Sequence, residues 1–106
     1  MFKGSENAIT VEKLKAGEDC YLYSSTRNLE PVIKAGQCVH IIPVTEDVEL
    51  NKEDVVLCRV NTKIYLHKIS AIRNKNSYLI TDNYDNKRGW IGRVHIYGKV
   101  DNFNFS

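Results

Sequence analysis

Residues 54–72 read DVVLCRVNTKIYLHKISAI, and this stretch decides the fold class. Two runs rich in Val, Ile, Leu and Tyr, 54–60 and 63–72, are separated by Asn61 and Thr62 alone. β-Branched and aromatic residues fit a pleated, half-buried surface. A two-residue polar link between such runs reads as a tight hairpin, although Asn-Thr is a weaker turn pair than Asn-Gly. In the second run, alternation puts Ile64, Leu66, Lys68, Ser70 and Ile72 on one face and Lys63, Tyr65, His67, Ile69 and Ala71 on the other. Neither face is wholly apolar, so this strand is expected to be shared between the core and a polar rim.

Four further β-like runs lie outward from this pair: 20–24 (CYLYS), 37–44 (QCVHIIPV), 77–81 (SYLIT) and 90–100 (WIGRVHIYGKV). Polar clusters bound them, and residues 73–76 read as a second hairpin link. In the last run, Gly92, Val94, Ile96 and Gly98 are expected to face inward and Ile91, Arg93, His95 and Tyr97 outward. Residues 9–15 (ITVEKLK) fit a short strand or a helical turn equally, and 48–54 fit a loop or one helical turn. No long amphipathic helix, internal repeat or low-complexity tract is visible. Short strands at close spacing predict an all-β domain, a small curled sheet or partly open barrel. One domain is expected over residues 1–106, with its core at about 20–100 and loose ends at 1–8 and 101–106.

Composition narrows the function classes. Hydrophobic residues make up 42% and charged residues 26%, which excludes a disordered chain. A net charge of +2 is too small to point to nucleic acid by itself. Cys20, Cys38 and Cys58 are odd in number and form no C-x-x-C pair, so they fit neither a disulfide framework nor a zinc pattern. They read as buried thiols in a reducing, hence cytoplasmic, setting. No apolar run is long enough to span a bilayer, and MFKGSENAITVEK has no secretory apolar core.

The segment NLEPVIKAGQ, residues 28–37, resembles the nucleophile loop of the LexA and signal-peptidase-like serine peptidases, which usually reads Ser-Met-x-Pro-x-(aliphatic)-x-x-Gly-Asp. Leu29 stands for Met, and Pro31, Ile33 and Gly36 fall in register. Asn28 stands where the serine belongs and Gln37 where Asp is usual. Four more pieces follow in the family's order. Residues 52–57 (KEDVVL) resemble a Pro-Gly-Asp strand start. Leu66-His67-Lys68-Ile69 resembles the strand that carries the general base, a Lys or a His. Ile80-Thr81-Asp82-Asn83 resembles a Gly-Asp-Asn segment, and Tyr97-Gly98-Lys99-Val100 a closing Gly-Lys-Val. The resemblance implies the family's all-β catalytic core with vestigial positions at Asn28, His67 and Asp82.

An asparagine amide offers no nucleophile comparable to an activated serine, so acyl-enzyme chemistry is expected to stop at Asn28. The expected role is a non-enzymatic binding or regulatory module that uses the old cleft around Asn28, Leu29, Glu30, His67 and Asp82. A Lys-, Asn- and Ile-rich domain of this kind suits a phage or mobile-element accessory protein acting on a host or phage protein. Two other readings stand beside it. A displaced Ser24 or Ser25 working with His67 would leave a residual hydrolase. Lys87, Arg88 and Arg93 around Trp90 mix cations with an aromatic ring, which suits a protein interface or a nucleic-acid backbone. No cofactor is expected. His40, His67 and His95, even with Asp82 or Asp85, share no short ligand spacing, so no metal site is expected. DNYDNKRGW, residues 82–90, reads as a turn held by Asx hydrogen bonds. The tail 101–106, with Phe103 and Phe105 alternating, offers a strand to a neighbour or a dimer partner.

Overall fold

The computed structural model describes residues 4–23 and 38–102. Among these residues, one helix, α1 (Gly4–Lys15), precedes seven strands: β1 (Cys20–Tyr23), β2 (Cys38–Pro43), β3 (Val55–Val60), β4 (Lys63–Arg73), β5 (Ser77–Thr81), β6 (Lys87–Gly92) and β7 (Ile96–Asn102). All pairings are antiparallel, in one sheet of order β1-β2-β7-β3-β4-β5-β6. The domain is mainly β, as its residues predict, and the sheet stays open, with β1 and β6 at its two ends.

The apolar run Val55–Cys58 is buried on every residue because β3 has a core on each face. Val55 and Leu57 join Val11, Leu14, Val39, Ile41, Leu66 and Val100 in one cluster. Val56, Cys58 and Val60 join Leu50, Ile69, Tyr78, Ile80, Ile91 and Ile96 in the other. Helix α1 covers the first cluster. The second is enclosed because β4, β5 and β6 curl back toward β3. β6 lies three places from β3 in the sheet, yet a Cβ at Gly89 would sit 3.1 Å from Val60 Cγ1.

Four one-residue bulges bend the sheet. Ile69 pairs Ile80 and Ala71 pairs Leu79, which leaves Ser70 unmatched. Ile80 pairs Gly89 and Thr81 pairs Lys87, which leaves Arg88 unmatched. Tyr97 and Asp101 are the extra residues of β7. Each such residue kinks its strand and increases the local twist. Gly89, just after the Arg88 bulge, has φ of +149°, a conformation that L side chains rarely adopt.

The structure selects between the two readings left open at 9–15 and at 48–54, and corrects the other expectations below. Residues 9–15 are helical, and α1 begins at Gly4, inside the end expected to be loose. Ile9, Thr10 and Val11 gave a strand-like reading, but Val11 and Leu14, three apart, bury one stripe on the sheet. Gly17, at φ +86°, closes the helix: its N–H donates to Leu14 O (3.1 Å), and the Glu18 N–H donates to Lys13 O (2.9 Å). That is a Schellman cap, and Lys13 and Lys15 suit the negative end of the helix dipole. Gly98 on β7 lets the helix approach, since a Cβ there would lie 2.8 Å from Leu14 Cδ1 and closer still to Ile41. Residues 48–54 form no helical turn. Val48 and Asp54 close two separate turns onto Thr45 and Asn51. The run 90–100 is two strands broken by a 3-10 turn at Arg93–His95. That turn resets the alternation, so Val94 is 80% exposed while Ile91 is buried. Strand β7 continues to Asn102, past the expected loose boundary, and is flanked by β2 and β3. It therefore presents no free edge for a dimer partner where both neighbours pair it. Phe103 and Phe105 lie outside the described residues. Among the described residues, no helix is long and apolar enough to cross a membrane.

Candidate functional site

His67 stands on β4 opposite Val56, on the face that carries Ile69, and is 1% exposed. Its Nδ1 lies 2.6 Å from its neighbour's carbonyl, Leu66 O, and its Nε2 lies 3.1 Å from Arg88 Nε. A carbonyl and a guanidinium N–H fix the tautomer between them. Nδ1 carries the proton and donates, and the Nε2 lone pair accepts from Arg88. Burial lowers the His67 pKa. The bond to Leu66 raises it, the Arg88 charge lowers it further, Asp82 raises it, and the balance lies below the ordinary value. His67 is thus a neutral imidazole.

Arg88 reaches this position because it is the bulged residue of β6. The extra residue re-aims its side chain toward β4. The guanidinium also stands 5.3 Å from the centroid of the Tyr65 ring, and that ring lies 4.8 Å from the His67 ring. Its Nη2 is 3.5 Å from Asp82 Oδ2.

Asp82 is 1% exposed at the end of β5 and organises the β5–β6 turn. Oδ1 accepts the backbone N–H groups of Tyr84 (2.8 Å) and Asn86 (3.0 Å), and Oδ2 accepts Asn86 Nδ2 (2.8 Å). These are the Asx bonds expected of residues 82–90. Burial pushes the Asp82 carboxyl up. The Asn86 amide, the Asn86 and Tyr84 N–H groups and the Arg88 charge outweigh it and hold the carboxyl below its ordinary range. Behind it, Ser70 and Thr81 share a short hydroxyl hydrogen bond.

The structure therefore brings His67, Asp82 and Arg88 into one row, with Arg88 in the middle. Asp82 bonds the turn and the guanidinium. Sequence reasoning named all three residues but missed the bridging role of Arg88, because a bulge is a relation between two strands. Asn28, Leu29, Glu30, Ser24 and Ser25 lie outside the described residues. The basic-aromatic group does not assemble. Arg88 turns inward and Lys87 is exposed. Trp90, 42% exposed, carries the Arg73 guanidinium 4.4 Å from its ring centroid. Arg93 is spent on the loop before β3, donating to Thr45 O (2.6 Å) and to Val48 O. Lys68, next to His67, is placed between Glu53 (3.7 Å) and Asp85 (3.6 Å). His40 lies elsewhere, 3.0 Å from Asp19 and 3.6 Å from Asp101. Among the described residues, no group of three or more His, Cys, Asp or Glu side chains could hold a metal ion.

No protein-family model, curated protein or solved structure matches the chain.

Proposed function

We propose that this chain is a non-enzymatic binding module on a degenerate LexA/signal-peptidase-like core, which engages a protein partner at the cleft where the family's catalytic groups would stand. The observation that carries the reading is the hydrogen bond from Arg88 Nε to His67 Nε2. A general base needs a free lone pair beside a nucleophile. Here that lone pair is engaged by a group that stays charged at any working pH. Protonating His67 would also place two cations side by side. The aspartate that would orient such a base is committed to a turn. The position aligned with the nucleophile is Asn28, whose amide cannot form an acyl-enzyme.

Incubation with a fluorophosphonate probe, read by intact mass, tests the loss of chemistry. No adduct is expected. Labelling of Ser24 or Ser25 that disappears in His67→Ala would overturn the reading. Capture of partners by the full chain and by Asn28→Ala tests the cleft. An unchanged partner set would exclude it as the binding surface.

A further inference from the structure

The sheet fails to close where β6, its last strand, meets the end of β3. The gap holds a cavity of about 330 Å³ lined by Arg59, Asn61, Trp90, Ile91, Gly92 and His95. None of these residues is acidic. The side chains of Arg59 and His95 have no hydrogen bond or ion pair among the described residues. Arg73 adds a second guanidinium by stacking on Trp90. Beside this cluster runs the outer edge of β6. Its ladder pairs β5 alone among the described residues, so its other side has unused backbone donors and acceptors.

We propose that this seam captures an acidic, extended protein segment that pairs with the edge of β6. Main-chain hydrogen bonds to β6 supply the affinity, as in other strand additions. Carboxylates on alternate residues of the segment meet Arg59 and His95, and an apolar residue of the segment lies against the exposed Trp90 ring. The unpaired Arg59 guanidinium, with no acidic neighbour in the cavity and with the His95 imidazole beside it as a further hydrogen-bond donor, favours an anionic partner. A free strand edge favours a polypeptide over a nucleic acid, because only a polypeptide can complete the ladder. The inference rests on the binding-module reading and gives that module a surface apart from the buried His67–Arg88–Asp82 row.

Trp90 is the sole tryptophan, so its fluorescence reports the seam directly. The full chain is titrated with a blocked peptide alternating Glu and Val, its Lys/Val counterpart, a Glu/Val peptide N-methylated along one edge, and a thymidine oligonucleotide. Saturable change is expected with the Glu/Val peptide alone. Arg59→Glu is expected to weaken it about tenfold or more, and so is N-methylation. Arg59 is exposed, so the variant leaves both cores intact; His95→Gln is the milder companion and should weaken binding less. Binding of the oligonucleotide at least as tight as that of the peptide would overturn the proposal. So would an affinity unchanged by Arg59→Glu, or equal binding of the N-methylated peptide. A silent Trp90 alongside no fluorophosphonate labelling removes the seam alone. Fluorophosphonate labelling removes the non-enzymatic reading without touching the Trp90 titration.

Discussion

Replacing Arg88 by Met keeps an apolar stem of similar length beside Tyr65 and deletes the charge and every donor. The buried His67 Nε2 then loses its partner, and an unsatisfied buried acceptor costs about 1–3 kcal/mol. Asp82 loses an ion pair of 3.5 Å but keeps three hydrogen bonds, so about 0.5–1 kcal/mol is added. The sum is about 1.5–4 kcal/mol at neutral pH, which corresponds to a fall in Tm of about 6–20 °C for a domain of this size. Equilibrium urea unfolding should show a lower midpoint at unchanged slope. Removing the Arg88 charge while Asp82 remains also raises the pKa of His67 from its depressed position, so the stability deficit narrows on acidification. NMR titration of His67 reads that shift, and its long-range nitrogen–proton correlations read the tautomer. A loss under about 0.5 kcal/mol, the size of an ordinary surface change, with an unshifted His67 titration, would refute the bridge.

Acid should destabilise the wild-type protein in two stages. The folded pKa of His67 lies below its unfolded value, so the unfolded chain binds more protons once pH falls below about 6.5, and stability drops from there. Asp82, likewise depressed, adds a second loss below about pH 4. Urea midpoints across pH should trace both limbs, and His67→Gln should flatten the first. Gly98→Ala drives a methyl into Ile41 and Leu14 and should cost about 1–3 kcal/mol. Leu14→Ala, which empties the same contact from the helix side, should cost about 2–5 kcal/mol. Chemical denaturation of both variants checks these values. Burial pushes the Cys58 thiol up to about 12, whereas Cys38 is only half-buried. Iodoacetamide should therefore modify native Cys38 first and reach Cys58 only on unfolding, as read by peptide mass spectrometry.

Much of the fold is local and was legible. The period-2 runs mark the strands because side chains alternate across a pleat whatever surrounds them. The link at Asn61 works because Asn tolerates its φ of +57°. The second hairpin turns through Asn74 and Lys75 at φ of +55° and +63°, the signs of a type I′ turn. The apolar run of β3 marked a strand, and only the structure shows it covered on both faces. Helix α1 was ambiguous because its β-branched stretch carries weak propensity either way, although Gly17 behind Lys13 and Lys15 was a readable cap.

The site divides along the same line. The sequence by itself determined the residue types: a histidine in a strand, an aspartate that holds its own turn, and an arginine six residues beyond it. Only the tertiary structure decided what those residues do to one another. The bulge at Arg88 exists in the mismatch between β5 and β6, and it alone sets a guanidinium between imidazole and carboxylate. The placing of β7 between β2 and β3, and the seam left open between β6 and β3, come from packing two cores onto one sheet, a balance of long-range contacts that no local window of residues contains.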